Sequence, residues 1–107
     1  MIEIERSSGN VYADLDIPNA EEMQVKAQLA TKIREIINAR KWTQQQAAKV
    51  LGMPQPKLSN MLRGQFRGVS ETKMLECLAK LGRDVRIVVG PERHSEDAGH
   101  IEVVFAA

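Results

Sequence analysis

The chain is 107 residues long, 43% apolar, 4% aromatic and 27% charged, with a formal net charge of +1 and one cysteine. This length suits one domain with short appended arms. A lone cysteine excludes an internal disulfide and a zinc site built on a thiolate cluster, and no apolar run approaches the roughly 18 residues of a membrane span.

The scarcity of aromatics favours a helix-rich fold with an aliphatic core. The charged start MIEIERSSGN lacks a signal-peptide core, so a soluble, cytoplasmic chain is expected. The small net charge conceals an asymmetry: residues 1–19 carry −3, residues 20–83 carry +7 and residues 84–107 carry −3. A basic centre between acidic flanks suits a segment that faces phosphates. The chain therefore divides into an N-terminal arm (1–19), a helical unit (20–83) and a C-terminal β arm (84–107).

Residues 1–19 lack a helical period and read as an extended arm; the alternation of Ile2 and Ile4 permits a short strand. Pro18 or Asn19 marks the start of a helix over about residues 20–40. Leu29, Ala30, Ile33, Ile36 and Ile37 form its buried stripe, and Met23 and Lys26 extend that face. Arg40 and Lys41 close it with cations, as the helix dipole favours. Trp42, between the first two helices, reads as a core plug rather than a DNA-stacking ring.

Thr43 begins a second helix, with Gln46 as its reciprocal capping-box partner. Ala47, Ala48 and Leu51 make a narrow apolar face whose small residues admit a close neighbour. Gly52 stops this helix in the place that favours a left-handed residue. Pro54 or Pro56 then fits the first turn of a third helix. There Leu58, Met61 and Leu62 repeat at core spacing, while Gln55, Lys57, Ser59, Asn60 and Arg63 line the opposite face, and Gly64 ends the helix. After the loop Gly64–Gly68, Ser70 caps a fourth helix over about 71–81. Its apolar face holds Met74, Leu75, Leu78, Ala79 and Leu81, with Cys77 as a small core filler, and Gly82 ends it. Arg83–Val89 is β-branched and alternating, a strand pattern broken by Gly90-Pro91. Ile101–Phe105 is a second strand candidate, which makes a hairpin with a long polar loop. Two lone strands are marginal in water, so an exposed β edge here points to dimerisation or partner binding.

Two short helices joined at Gly52-Met53 have the spacing of a helix-turn-helix, which presents its second helix to the major groove of duplex DNA. The amides and cations on that helix can donate to base edges and phosphates. A solvated face on an inert helical bundle is the bland alternative, and a protein-interaction adaptor is the leading rival. An enzyme is not expected. His94 and His100, with Glu92, Glu96 and Asp97 nearby, show no known ligand spacing; no Gly-rich phosphate loop, Ser-His-Asp order or Cys-His pairing is present. No metal or other cofactor is expected.

The run WTQQQAAKVLGMPQPKLSNMLRG resembles the Cro/C1-type (XRE) helix-turn-helix family. The arm SGNVYADLDIPNAEEM, the loop RGQFRGVS and the segment LGRDVRIVVG look like its HigA-like antitoxin branch, from type II toxin–antitoxin systems. The resemblance covers about residues 8–90. It implies a mainly α, four-to-five-helix, lambda-repressor-like domain with a short C-terminal strand or hairpin. It also implies a homodimer on a palindromic operator that represses its own promoter, and binding of a RelE/HigB-like toxin. Many members of the broad family act without a toxin, so a stand-alone regulator stays open. Carried over residue by residue, Gln44 touches a phosphate and Gln55 reads a base, since a glutamine amide can pair with adenine N6 and N7. Lys57 and Asn60 add base or phosphate contacts beside Ser59, and Arg63 and Arg67 clamp phosphates. Pro56 departs from the commoner polar residue and offers only apolar contact, such as to a thymine methyl.

Overall fold

The computed structural model describes residues 2–3, 20–94 and 97–106. The expected helix start at Pro18 or Asn19 and most of the N-terminal arm, Ile4 included, lie outside them. Four helices are present among the described residues: α1 (Ala20–Ala39), α2 (Gln44–Leu51), α3 (Gln55–Leu62) and α4 (Glu71–Lys80). Two two-residue strands, β1 (Ile2–Glu3) and β2 (Phe105–Ala106), pair antiparallel, with Ile2 opposite Ala106 and Glu3 opposite Phe105. The fold is mainly α, as the periodicity predicts.

The long helix α1 is the platform. Its stripe of Leu29, Ala30, Ile33, Ile36 and Ile37 is buried, together with Val25 and Lys26, and it packs against α4 and α3. Burying Lys26 is possible because its stem lies on apolar neighbours while its amine meets two carboxylates. Lys26 Nζ stands 3.4 Å from Glu22 and 3.7 Å from Glu71, tying the N-terminal ends of α1 and α4 together. At the other end, the Arg40 guanidinium donates to the Leu81 carbonyl and lies 4.9 Å from the Trp42 ring centroid. The C-terminal ends of α1 and α4 are thereby joined as well. Trp42 is half-buried against the core, in keeping with its reading as a plug.

Three core residues sit between helices rather than on them: Met53, Phe66 and Val69. Helical spacing is blind to such positions, since a loop has no period to betray which side chain turns inward. Phe66 is among the largest fully buried side chains, only 2% exposed. Ala79, by contrast, is exposed although its spacing suggested the apolar face of α4.

The expected hairpin does not form among the described residues. Arg83–Val89 is not a strand: it runs without a turn or bend, and all its residues are exposed. Of the second candidate, Ile101–Phe105, only Phe105 is in a strand, which runs on to Ala106 and pairs with Ile2–Glu3. The physical reason is burial. Residues 101–105 gain an apolar surface on α1, whereas two strands paired only with each other are marginal in water. The tail runs along α1: the Ile101 N–H donates to the Glu21 carboxylate, Val103 packs on the core, and the Phe105 ring lies 4.8 Å from Lys32 Nζ.

Candidate nucleic-acid interface

Local chemistry at each helix end sets the angle between α2 and α3. The Thr43 hydroxyl accepts from the Gln46 N–H at 3.1 Å, and the Thr43 N–H donates to Gln46 Oε1 at 2.8 Å. This is the reciprocal capping box read from the sequence. Gly52 ends α2 with φ +65° and ψ 39°, a left-handed backbone that costs a side-chain-bearing residue dearly. The Met53 N–H then returns to the Ala48 carbonyl at 3.1 Å. Lys80 Nζ, from α4, donates to the Leu51 carbonyl at 3.1 Å and so satisfies one of the free acceptors at the end of α2. Ala47, Leu51, Leu58 and Met61 are fully buried, which locks α2 and α3 to each other and to α1 and α4.

Pro54 occupies the N-cap of α3 and provides no side-chain cap, and Pro56 follows inside the first turn. Neither Pro54 nor Pro56 has an N–H, so two of the four free donors of this helix start are already absent. The Gln55 and Lys57 N–H groups remain, and a helix N-terminus left uncapped by the protein suits an acceptor from outside.

Every candidate residue is accessible. Gln44, Gln55, Pro56, Lys57, Arg63 and Arg67 are exposed, and Ser59 and Asn60 are half-exposed on the same helix. Gln55, Pro56, Lys57, Ser59 and Asn60 are brought together on α3, Gln44 starts α2, Arg63 caps the end of α3 and Arg67 lies in the following loop. The Arg63 guanidinium donates to Asn60 Oδ1 at 2.5 Å. This bond uses one of the two lone pairs of the Asn60 oxygen and leaves the amide NH2 available as a donor.

The stretch of chain that holds the motif carries charge of one sign. Between Glu35 and Glu71 the sequence holds no acidic residue, but it holds Arg40, Lys41, Lys49, Lys57, Arg63 and Arg67. Among the described residues, Lys57 and Arg67 have no carboxylate partner. Lys49, exposed in the last turn of α2, belongs to this acid-free stretch and was not among the residues singled out from the motif. The absence of acids over 36–70 is the signal that could have found it. The acidic side chains sit elsewhere: Glu21, Glu22 and Glu71, with Val25 and Ile101, line a shallow recess at the start of α1 and α4.

His100 Nδ1 lies 3.9 Å from Glu21, and His94 is exposed. Among the described residues no cluster of three His, Cys, Asp or Glu side chains could hold a metal ion, and no helix is long and apolar enough to cross a membrane. Cys77 is buried, and burial pushes its thiol pKa above the usual value near 9, against the pull of Lys73 and Lys80.

The residues that build this surface match the helix-turn-helix domain family over residues 11–90. A solved structure described as an XRE family transcriptional regulator is 36% identical and superposes with a TM-score of 0.75, covering 83% of this chain and all of that one. The chain belongs to the XRE helix-turn-helix family. No curated protein matches it. As an XRE-family protein with an open, cationic motif, it is a DNA-binding transcriptional regulator domain.

Proposed function

We propose that this XRE-family protein is a repressor that binds as a homodimer to a palindromic operator in its own promoter and blocks polymerase there. Residues 20–83 are the DNA-reading unit, and residues 84–107 the arm that joins it to other chains. One observation carries the reading: the amide- and cation-bearing side of α3 is open to solvent within a stretch free of acidic residues. Phosphate contacts supply most of the affinity and orient the helix, and base edges supply the sequence preference.

Gln55, at the start of α3, reads a base, and Lys57 reaches a base or phosphate beside it. Asn60 adds a base or phosphate contact through its amide, with Arg63 donating to one lone pair of its oxygen. Pro56 and Ser59 complete the helix surface. Gln44, Lys49, Arg63 and Arg67 hold phosphates on either side. Two such helices require half-sites about one helical turn, ~34 Å, apart.

The resemblance of RGQFRGVS and LGRDVRIVVG to antitoxins supports a second role, neutralisation of a RelE/HigB-like toxin encoded alongside. The decisive test of DNA reading is titration of the full chain against its own upstream region at several salt concentrations. Lys57→Ala should weaken binding by about 1–3 kcal/mol if the amine reads a base, or lower the salt slope by about one if it meets a phosphate. No binding at low salt refutes the regulatory reading. A co-expression rescue with the adjacent gene product tests the antitoxin role separately.

A further inference from the structure

The C-terminal ends of α1, α4 and α2 are joined in series by two cations. Arg40, just after α1, donates to the Leu81 carbonyl at the end of α4. Lys80, the last residue of α4, donates to the carbonyl of Leu51, the last residue of α2, at 3.1 Å. The Lys80 amine thus lies where the dipole of α2 favours positive charge, and the root of its side chain is fixed because Arg40 holds the next residue.

The place of the acceptor gives this bond its consequence. Leu51 is 0% exposed. The three residues after it, Gly52, Met53 and Pro54, are the joint between α2 and α3. Among the described residues, no other side chain outside α2 and α3 hydrogen-bonds to residues 51–54. The recognition helix α3 packs chiefly on α1 and α2, so α4 acts on its orientation through this joint.

We propose that Lys80 is a positioning residue for DNA reading: its amine, by holding the Leu51 carbonyl, fixes the angle at which α3 enters the groove. The inference rests on the DNA-reading proposal and adds to it a residue that acts without touching DNA.

A carbonyl of a buried residue that loses its donor must find another or stay unpaired. With methionine at position 80, the relief open to Leu51 is rotation of the peptide between it and Gly52. Gly52, at φ +65°, has no side chain to resist that rotation. The movement passes through Met53 and Pro54 to α3. That helix has eight residues, about 12 Å, so a tilt of about 5° displaces its far end by about 1 Å. Hydrogen bonds to base edges tolerate only a few tenths of an ångström, whereas attraction between cations and phosphates falls slowly with distance. Loss of the amine therefore erodes sequence preference before overall affinity. Glycine and lysine suit each other here, since a Cβ at position 52 would stand 3.3 Å from the amine.

The test compares binding of the full chain to a duplex of its own upstream region and to a scrambled duplex of the same length and composition, well below the melting temperature. For Lys80→Met the ratio of the two affinities should fall about three- to tenfold, the range of one net hydrogen bond, with the salt slope unchanged. Lys80→Arg keeps a donor of similar reach and should hold the ratio within about twofold of the parent. Lys80 is exposed, and loss of one hydrogen bond leaves the chain folded at that temperature; a merely stabilising contact would lower Tm and leave the ratio alone. An unchanged ratio overturns the proposal. So does an equal loss on both duplexes with a salt slope lower by about one, which puts the amine on a phosphate, and so does an arginine variant that behaves like the methionine one. A parent chain that does not distinguish the two duplexes refutes DNA reading itself, and the role of Lys80 falls with it.

Discussion

Replacing Gly52 by alanine tests how the turn of the motif is held. The residue has φ +65°, and for an L side chain this left-handed backbone costs about 1–2 kcal/mol. A Cβ at this position would also come within 3.3 Å of Lys80 Nζ. That amine is the flexible end of a side chain and can retreat, but retreat stretches its 3.1 Å hydrogen bond to the Leu51 carbonyl, a contact worth about 1 kcal/mol net. Against these losses, alanine stiffens the unfolded chain and returns about 0.4–1 kcal/mol. The net destabilisation is about 1–2 kcal/mol, which in a domain of this size lowers Tm by roughly 5–15 °C. Thermal unfolding followed by circular dichroism at 222 nm measures it. Gly52→Asn is the internal control, since asparagine tolerates the left-handed region and should recover part of the loss. If Gly52→Ala melts with the parent, or if the asparagine variant is no better than alanine, the turn is not held by backbone conformation and this account of the α2–α3 angle is wrong.

Two further outcomes probe the core. Phe66→Ala removes a ring that is 2% exposed and should cost about 3–5 kcal/mol, a large share of the usual 5–15 kcal/mol of stability; a urea midpoint implying less than about 1.5 kcal/mol would mean the loop does not pack as described. Burial raises the Cys77 pKa above its ordinary value near 9, so the folded chain keeps a proton that the unfolded chain releases. This contribution is present below about pH 9 and is lost as pH rises beyond it. Cys77→Ala should therefore show a shallower fall of Tm above pH 9 than the parent, and identical slopes would remove the thiol from the alkaline transition.

Much of the fold was legible in the residues taken alone. The stripe from Leu29 to Ile37 has the 3.6-residue period of a helix packed on one side, Thr43 and Gln46 carry a cap within four residues, and Gly52 marks a backbone that few other residues adopt. These are local signals, and local chemistry decides them. The exposed side of α3 was legible for the same reason: once Leu58, Met61 and Leu62 face inward, Gln55, Lys57 and Asn60 can only face out. Phe66, Val69 and Met53 were not legible as core, because their burial depends on helices distant in sequence. Nor were the clamps made by Arg40 on Leu81 and Lys80 on Leu51, which join residues 41 and 29 positions apart.

The two ends of the chain mark the boundary most sharply. Alternation in Arg83–Val89 records a capacity for strand, and it cannot say whether a partner strand is within reach. Tertiary structure answered that by laying the tail along α1, pairing Phe105–Ala106 with the start of the chain and leaving Ile87, Val88 and Val89 in water. The sequence by itself determined where helices begin, stop and turn their apolar sides, because those choices depend on neighbours a few residues away. Only the folded molecule decided which distant segments meet, because that choice depends on which surfaces remain to be covered once the helices have packed.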